Sequence, residues 1–241
     1  MTRLRKAGRL WRNWQAQAAA LEVLVNADDT QPVFKVELER WFGRSAPLEV
    51  ELGAGKGEFI IEQARTFPNR NFLAVELPLS IVRLLCARVA RSGLGNLKVL
   101  RADARSLVGF LMPSESVDVY HIYYPDPWPK ARHAKHRLFS PNFVAGLART
   151  LKEGGILCVA SDVEQWALQI FESLRQGGFE PQIQPVVGAT KTGYGKKYLA
   201  EKRTIFACAF KRPTLKELSK HTPSGANESA AMLQAMDRLP D

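Results

Sequence analysis

Cysteine is scarce in this 241-residue chain, which has only three. Cys86, Cys158 and Cys208 lie far apart, each inside an apolar stretch, with no Cys-x-x-Cys pair or regular spacing. That argues against a disulfide framework or a zinc site and leaves buried, reduced thiols in a cytoplasmic protein. Long apolar runs are missing as well. The longest are strand-sized and broken by Glu, Asp or Arg, far short of the roughly 18–20 residues a membrane-crossing helix requires. A soluble chain with no membrane partner is expected. No internal repeat is visible, and the length suits one sizeable core better than two domains.

Acids are the minority charge, with 24 Asp and Glu against 34 Lys and Arg, for a net charge of +10. Such an excess suits a polyanionic partner, a nucleic acid or an anionic membrane surface. The first 21 residues contain no acid, while Arg3, Arg5, Lys6, Arg9 and Arg12 interleave with Trp11 and Trp14. Three readings suit this stretch: an arm along a phosphate backbone with stacking aromatics, an organellar transit peptide, or a solvated terminus. No apolar region of the kind a secretory signal needs is present.

From residue 48 a regular pattern emerges. Apolar runs at 48–52, 72–76, 97–100, 117–123, 156–160 and 205–210 read as strands, the fifth entered through a Gly154-Gly155 turn. Segments of helical spacing separate them, such as Ile81, Leu84, Leu85 and Val89. This alternation predicts an α/β fold around a doubly wound, mostly parallel sheet buried on both faces. The expected organisation is a basic arm over 1–30, one domain over 31–212, and a polar tail over 213–241.

Chemistry concentrates at the ends of those strands. Glu51-Leu52-Gly53-Ala54-Gly55-Lys56-Gly57 stands where the first strand turns into a helix, at the crevice where doubly wound sheets bind nucleotide-like ligands. A phosphate-cradling loop needs Ser or Thr after its lysine, and here Gly57 follows Lys56. A dinucleotide fingerprint needs its third glycine where Glu58 stands. Glu51 would repel a pyrophosphate but suits a ligand bearing a sulfonium and an ammonium, which S-adenosyl-L-methionine carries. Glu76, 19 residues beyond Gly57, is placed to accept from ribose hydroxyls. Asp103 follows the third strand and is suited to an adenine amino group. Each acid alone reads equally as a solvated loop residue; three at successive strand ends behind this loop make the case together.

After the fourth strand comes Tyr123-Tyr124-Pro125-Asp126-Pro127-Trp128-Pro129-Lys130. Its prolines fix φ and remove donors, giving a stiff loop that holds Asp126 and Trp128 at the crevice mouth. Lys, Arg or His fill six of the eight positions from Lys130 to Arg137. His133 and His136 lack a third ligand for zinc, so no metal is expected, and a phosphate backbone is the better partner.

Together these segments resemble the bacterial tRNA (guanine-N7-)-methyltransferase family over about residues 48–211. Besides the glycine loop and the proline block, the resemblance rests on Val75-Glu76, Arg101-Ala102-Asp103-Ala104, Ser161-Asp162-Val163-Glu164 and Thr192-Gly193-Tyr194. It implies a class I methyltransferase fold, Rossmann-like, with seven strands and an antiparallel strand near the C-terminus. It also implies S-adenosyl-L-methionine as methyl donor and N7 of a guanine in the tRNA variable loop as acceptor. Carried over by position, Glu51, Gly53, Gly55, Gly57, Glu76, Asp103, Ala104 and Asp126 would line the cofactor site. Lys130, Asp162, Thr192 and Tyr194 would meet the substrate, and Arg132, His133, Lys135, His136 and Arg137 would contact tRNA. Asp126 is the candidate catalytic residue. The chain departs from the family at Gly195, where Glu is usual, and at Leu77-Pro78, where a His-containing turn is common. Monomer and homodimer both fit the sequence. Alternatives are a methyltransferase acting on another base atom and a non-catalytic RNA-binding protein that keeps the cofactor pocket. An NAD-dependent oxidoreductase comes last because the glycine spacing is wrong.

Overall fold

The computed structural model describes residues 37–127, 138–186 and 188–212. The expected arm, the expected tail and the basic run from Lys130 to Arg137 lie outside the described residues. Seven strands form one sheet: β1 (Leu48–Leu52), β2 (Asn71–Glu76), β3 (Leu97–Arg101), β4 (Val117–Tyr123), β5 (Leu151–Ser161), β6 (Glu180–Gln182) and β7 (Phe206–Lys211). Their order is β3-β2-β1-β4-β5-β7-β6. The first five run parallel, and β7 lies antiparallel between β5 and β6. The helices are α1 (Leu38–Phe42), α2 (Glu58–Thr66), α3 (Leu79–Ser92), α4 (Ala104–Ser106, running into a π-helical turn Leu107–Leu111), α5 (Pro141–Thr150), α6 (Glu164–Gln176), α7 (Gly188–Lys191) and α8 (Gly193–Ala200).

All five residues of β1 are buried, as expected of a central parallel strand covered on both faces. Its side chains alternate between two cores. Leu48, Val50 and Leu52 join Leu73, Tyr120, Phe143 and Phe171. The opposite face packs Phe59, Phe72, Leu85 and Tyr123 under α2 and α3. Burying each such apolar side chain stabilises the fold by roughly 1.5–3 kcal/mol. The strand period of two then puts Glu49 and Glu51 on the second face.

Glu49 there sits in a buried polar chain. Arg70 Nη1 donates to its Oε1 at 2.7 Å and His121 Nε2 donates to its Oε2 at 2.8 Å. In the neutral ring His121 Nδ1 then accepts from the Tyr123 hydroxyl at 2.8 Å, while Phe59 packs edge-on against both rings. Burial alone would raise the Glu49 carboxyl, but His121 and Arg70 outweigh it and hold it below 4.5. A lowered carboxylate stabilises the fold fully above its unfolded value, and that share is lost as pH falls through the folded one. Removing one member of a buried charged set leaves the others unpaired. Glu49→Ala is accordingly expected to cost about 3 kcal/mol at pH 7, read by urea unfolding.

Two stretches differ from the sequence expectation. β5 begins at Leu151, so Gly154-Gly155 is not a turn before the strand but an irregularity inside it, where pairing jumps from Val117↔Leu151 to Val119↔Ile156. Gly154 has φ +73, and a Cβ on Gly155 would stand 2.9 Å from the Lys152 carbonyl. β6 is a three-residue edge strand containing Pro181 that pairs only with β7.

Candidate active site

Because β1 to β5 run parallel, their carboxyl ends form one edge, and the predicted acids gather along it. Glu51 is in β1, Glu76 ends β2, Asp103 follows β3, Asp126 follows β4 and Asp162 follows β5.

The glycine loop bends at Gly53, Gly55 and Gly57, with φ of +83, +54 and +73, values side-chain-bearing residues rarely adopt. Gly57 has a second constraint, since a Cβ there would come 2.4 Å from Leu85 Cδ1. Gly53 and Gly55 face open space, with nothing within 4 Å of an added Cβ. The N–H groups of Gly53 and Ala54 both donate to the Val75 carbonyl, tying the loop to β2. Gly55 N–H donates to Glu76 Oε2 and Leu77 N–H to Oε1, each at 2.8 Å. Both Glu76 oxygens are thereby held at the loop's open side.

Behind the loop, Glu51 is buried, and its Oε2 is the one buried side-chain polar atom without a hydrogen-bond partner among the described residues. Desolvation, then the charges of Glu58 and Glu76, push its carboxyl well above 4.5, against the Ile60 N–H. Such an oxygen costs folding energy unless a cation or donor meets it.

The other predicted residues divide. Asp103 caps α4, its Oδ1 accepting from Arg105 and Ser106 N–H, while Oδ2 lies 3.7 Å from Arg105. Ala104 begins that turn, half-buried. Asp126 is exposed, in a loop anchored by Tyr124 N–H on the Ala160 carbonyl, Tyr124 hydroxyl on the Ala189 carbonyl and Trp166 Nε1 on the Pro125 carbonyl. Asp162 pairs with Arg203. Thr192 is buried, and its hydroxyl caps α8, accepting from Gly195 N–H and donating to the Ala189 carbonyl. Tyr194 is 60% exposed. Lys130, Arg132, His133, Lys135, His136 and Arg137 lie outside the described residues.

Residues 45–208, more than half of the chain, match the family Methyltransf_4, described as "Putative methyltransferase". The chain belongs to that methyltransferase family. Over 140 residues it is 42% identical to the tRNA (guanine-N(7)-)-methyltransferase of Nitrosomonas europaea, covering 58% of this chain and 62% of that protein. The like-named protein of Verminephrobacter eiseniae is 40% identical over 156 residues, 64% of this chain and 56% of that one. The chain thus spans about three fifths of the curated relatives it matches. Among solved structures, the 16S rRNA methyltransferase KamB superposes with a TM-score of 0.55 at 20% identity, over 75% of this chain and 94% of that one. At that identity the likeness concerns the fold alone.

In this chain the strand pattern leaves some neighbours of the site unannounced. Leu77 and Leu79 expose 47% and 36% of their surface beside the Glu76 carboxylate, an apolar patch that two leucines flanking a proline could have signalled. Arg203 and Tyr198 reach Asp162 from far along the sequence, and no local pattern marks them.

Proposed function

We propose that the chain methylates N7 of the variable-loop guanine of tRNA, using S-adenosyl-L-methionine, in the cytoplasm. The observation that carries the cofactor half is the buried, unpartnered Glu51 Oε2 behind two glycine bends that face open space. A cationic ligand would satisfy that oxygen, whereas an anionic one would meet Glu51, Glu58 and Glu76 together. The acceptor half rests on the name shared by relatives at about 40% identity.

The residues present fit this group. Glu51 would face its positive charge, Gly53, Gly55 and Gly57 would let the backbone come close, and Glu76 would take the ribose hydroxyls. Asp103 would accept from the adenine amino group, with Ala104 beside it, and Leu77 offers an apolar contact for a base ring. When bound, the cofactor supplies an electrophilic methyl carbon. Guanine N7 carries an in-plane lone pair and no proton, so no general base is needed. What the protein supplies is alignment, where effective molarities of ~10⁵ M or more are attainable, and a carboxylate near the positive charge that develops on the base.

Asp126 is suited to that role because it is exposed, without a hydrogen-bond partner among the described residues, on a loop held by three anchors. Asp162 offers a second acceptor to the guanine edge, Thr192 sets the start of α8, and Tyr194 borders the base. Lys130 and the basic residues Arg132, His133, Lys135, His136 and Arg137 would hold tRNA phosphates. Asp126→Ala and Asp126→Asn are each expected to lower kcat about tenfold or more, with cofactor binding changed far less. Full turnover by both variants would remove Asp126 from the mechanism.

The deciding experiment incubates the protein with unmodified tRNA and methyl-labelled S-adenosyl-L-methionine, then identifies the labelled nucleoside. 7-Methylguanosine supports the proposal, and label on any other atom overturns it. Binding of both ligands without transfer would make the chain an RNA-binding protein, the reading that Gly195 favours.

A further inference from the structure

We infer that Glu58, the first residue of α2, selects the target base by accepting hydrogen bonds from the N1–H and 2-amino groups of guanine. The inference rests on the guanine reading above and adds to it a specificity-determining side chain.

Glu58 follows the glycine loop directly, and its carboxylate is fixed from one side only. Arg88 of α3 donates from Nη1 to Oε1 at 3.0 Å. Oε2 accepts no hydrogen bond among the described residues and faces the start of α8, where a Cβ on Gly193 would stand 3.4 Å from it. Any side chain at 193 would begin against this carboxylate; glycine leaves it uncovered. The Glu58 side chain keeps 24% of its surface exposed, so it stands at the boundary between interior and solvent. Its charge acts on the buried Glu51 carboxyl more strongly than that of Glu76 does. Glu58 therefore borders the pocket in which the methyl donor is proposed to sit.

The other polar groups of this edge are less free. Glu76 holds two loop N–H groups, and Asp103 caps α4. Asp162 is shared by Arg203 and the Tyr198 hydroxyl. The Thr192 hydroxyl is spent within α7 and α8. Asp126 already has a role, at the charge that develops on N7.

An unpaired base in an RNA loop can be read along its Watson–Crick edge. In guanine that edge carries two adjacent donors, N1–H and the 2-amino group, where adenine presents an acceptor at N1. A carboxylate oxygen accepts from more than one donor, so Arg88 on Oε1 leaves both oxygens able to accept. Such charge-assisted pairs are strong and geometrically selective. Adenine would set its N1 lone pair against the carboxylate. The edge read in this way lies across the base from N7, which stays open to the methyl donor.

The test gives the full chain and methyl-labelled S-adenosyl-L-methionine two tRNAs that differ only at the target nucleotide, guanosine or inosine. Inosine keeps N7 and N1–H and lacks the 2-amino group. Wild-type kcat/KM is expected to fall about thirtyfold on inosine. Glu58→Gln should lose about thirtyfold on guanosine and treat the two tRNAs within about threefold of each other. Melting temperature and S-adenosylhomocysteine affinity, measured on both proteins, should hold. A carboxylate beside Gly193 also suits the N-terminus of α8. A role limited to that would lower both substrates alike and leave their ratio intact, which overturns the inference. Loss of cofactor affinity with the ratio intact overturns it too and assigns Glu58 to the cofactor. Wild-type protein that labels guanosine and inosine equally overturns it with no variant needed, while the proposed reaction stands. Wild-type protein that labels neither removes the proposed reaction and the inference together.

Discussion

Glu51→Gln is expected to weaken S-adenosyl-L-methionine binding about 100-fold and yet to raise the melting temperature of the free protein at neutral pH. Both effects come from one oxygen. Oε2 is buried without a partner among the described residues, and burial followed by the charges of Glu58 and Glu76 raises the carboxyl well above 4.5. The native state therefore holds a proton that the unfolded state has released. Stability consequently falls as pH climbs from about 4.5 through the folded value, and the loss is complete above it. An amide of the same shape removes that loss, worth about 1–2 kcal/mol or a few degrees of melting temperature at this size. The gain should shrink as pH is lowered toward the ordinary carboxylate range. A cationic ligand needs the ionised carboxylate, so wild-type affinity should rise with pH and binding should release a proton. Glu51→Gln should lose both the pH dependence and the charge-assisted contact, the latter worth about 1.5–3 kcal/mol. Calorimetric titration in buffers of different ionisation enthalpy reads both. Undiminished affinity in the variant would separate Glu51 from the ligand.

Gly195→Glu, which would restore the residue usual in the resembling family, is expected to unfold the α7–α8 region and abolish methyl transfer. On local grounds the change looks favourable. Thr192 caps α8, and a glutamate three residues on would complete a capping box. The packing forbids it. A Cβ on Gly195 would lie 2.0 Å from the Ala189 carbonyl oxygen and 2.9 Å from the Thr190 Cα, both backbone atoms that cannot rotate away. That same carbonyl accepts from the Tyr124 hydroxyl at 3.0 Å and the Thr192 hydroxyl at 3.2 Å. Displacing it breaks both bonds and loosens the loop that carries Asp126. Even Gly195→Ala should cost about 3 kcal/mol, in the range of overpacking a filled site, and the glutamate more. Denaturant unfolding and tRNA turnover check the pair. A stable, active Gly195→Glu would mean that α7 and α8 pack differently.

What the sequence made legible follows from how local each signal is. β1 and β4 match the reading because their apolar runs are bounded by glycines and prolines. The gathering of Glu51, Glu76, Asp103, Asp126 and Asp162 along one edge follows once those strands are taken as parallel neighbours. Glu180-Pro181-Gln182 carries no alternation, and its proline speaks against a strand; it pairs because β7 offers an edge. Gly154-Gly155 looks like a turn because glycines usually punctuate, and only the step in register with β4 makes it part of β5. The Glu49–His121 chain and the Asp162–Arg203 pair depend on residues far apart in sequence, which no window along the chain brings together. Cys86 and Cys208 are buried as expected, Cys158 is only half-buried against the core, and burial raises Cys86 to about 11, Cys158 to about 12 and Cys208 to about 11.

The position of β7 also bears on how the molecule is made. It pairs with β5 on one side and β6 on the other, yet it is translated after both. A nascent chain emerging from the ribosome can assemble β1 to β5, and with them the tips that bear the acids, before residue 206 exists. Until then the outer edge of the eleven-residue β5 offers unpaired backbone groups to any passing strand. Synthesis thus presents the edge that carries these acids first, and β7, the last strand to arrive among the described residues, is the one that covers the open edge of the growing sheet.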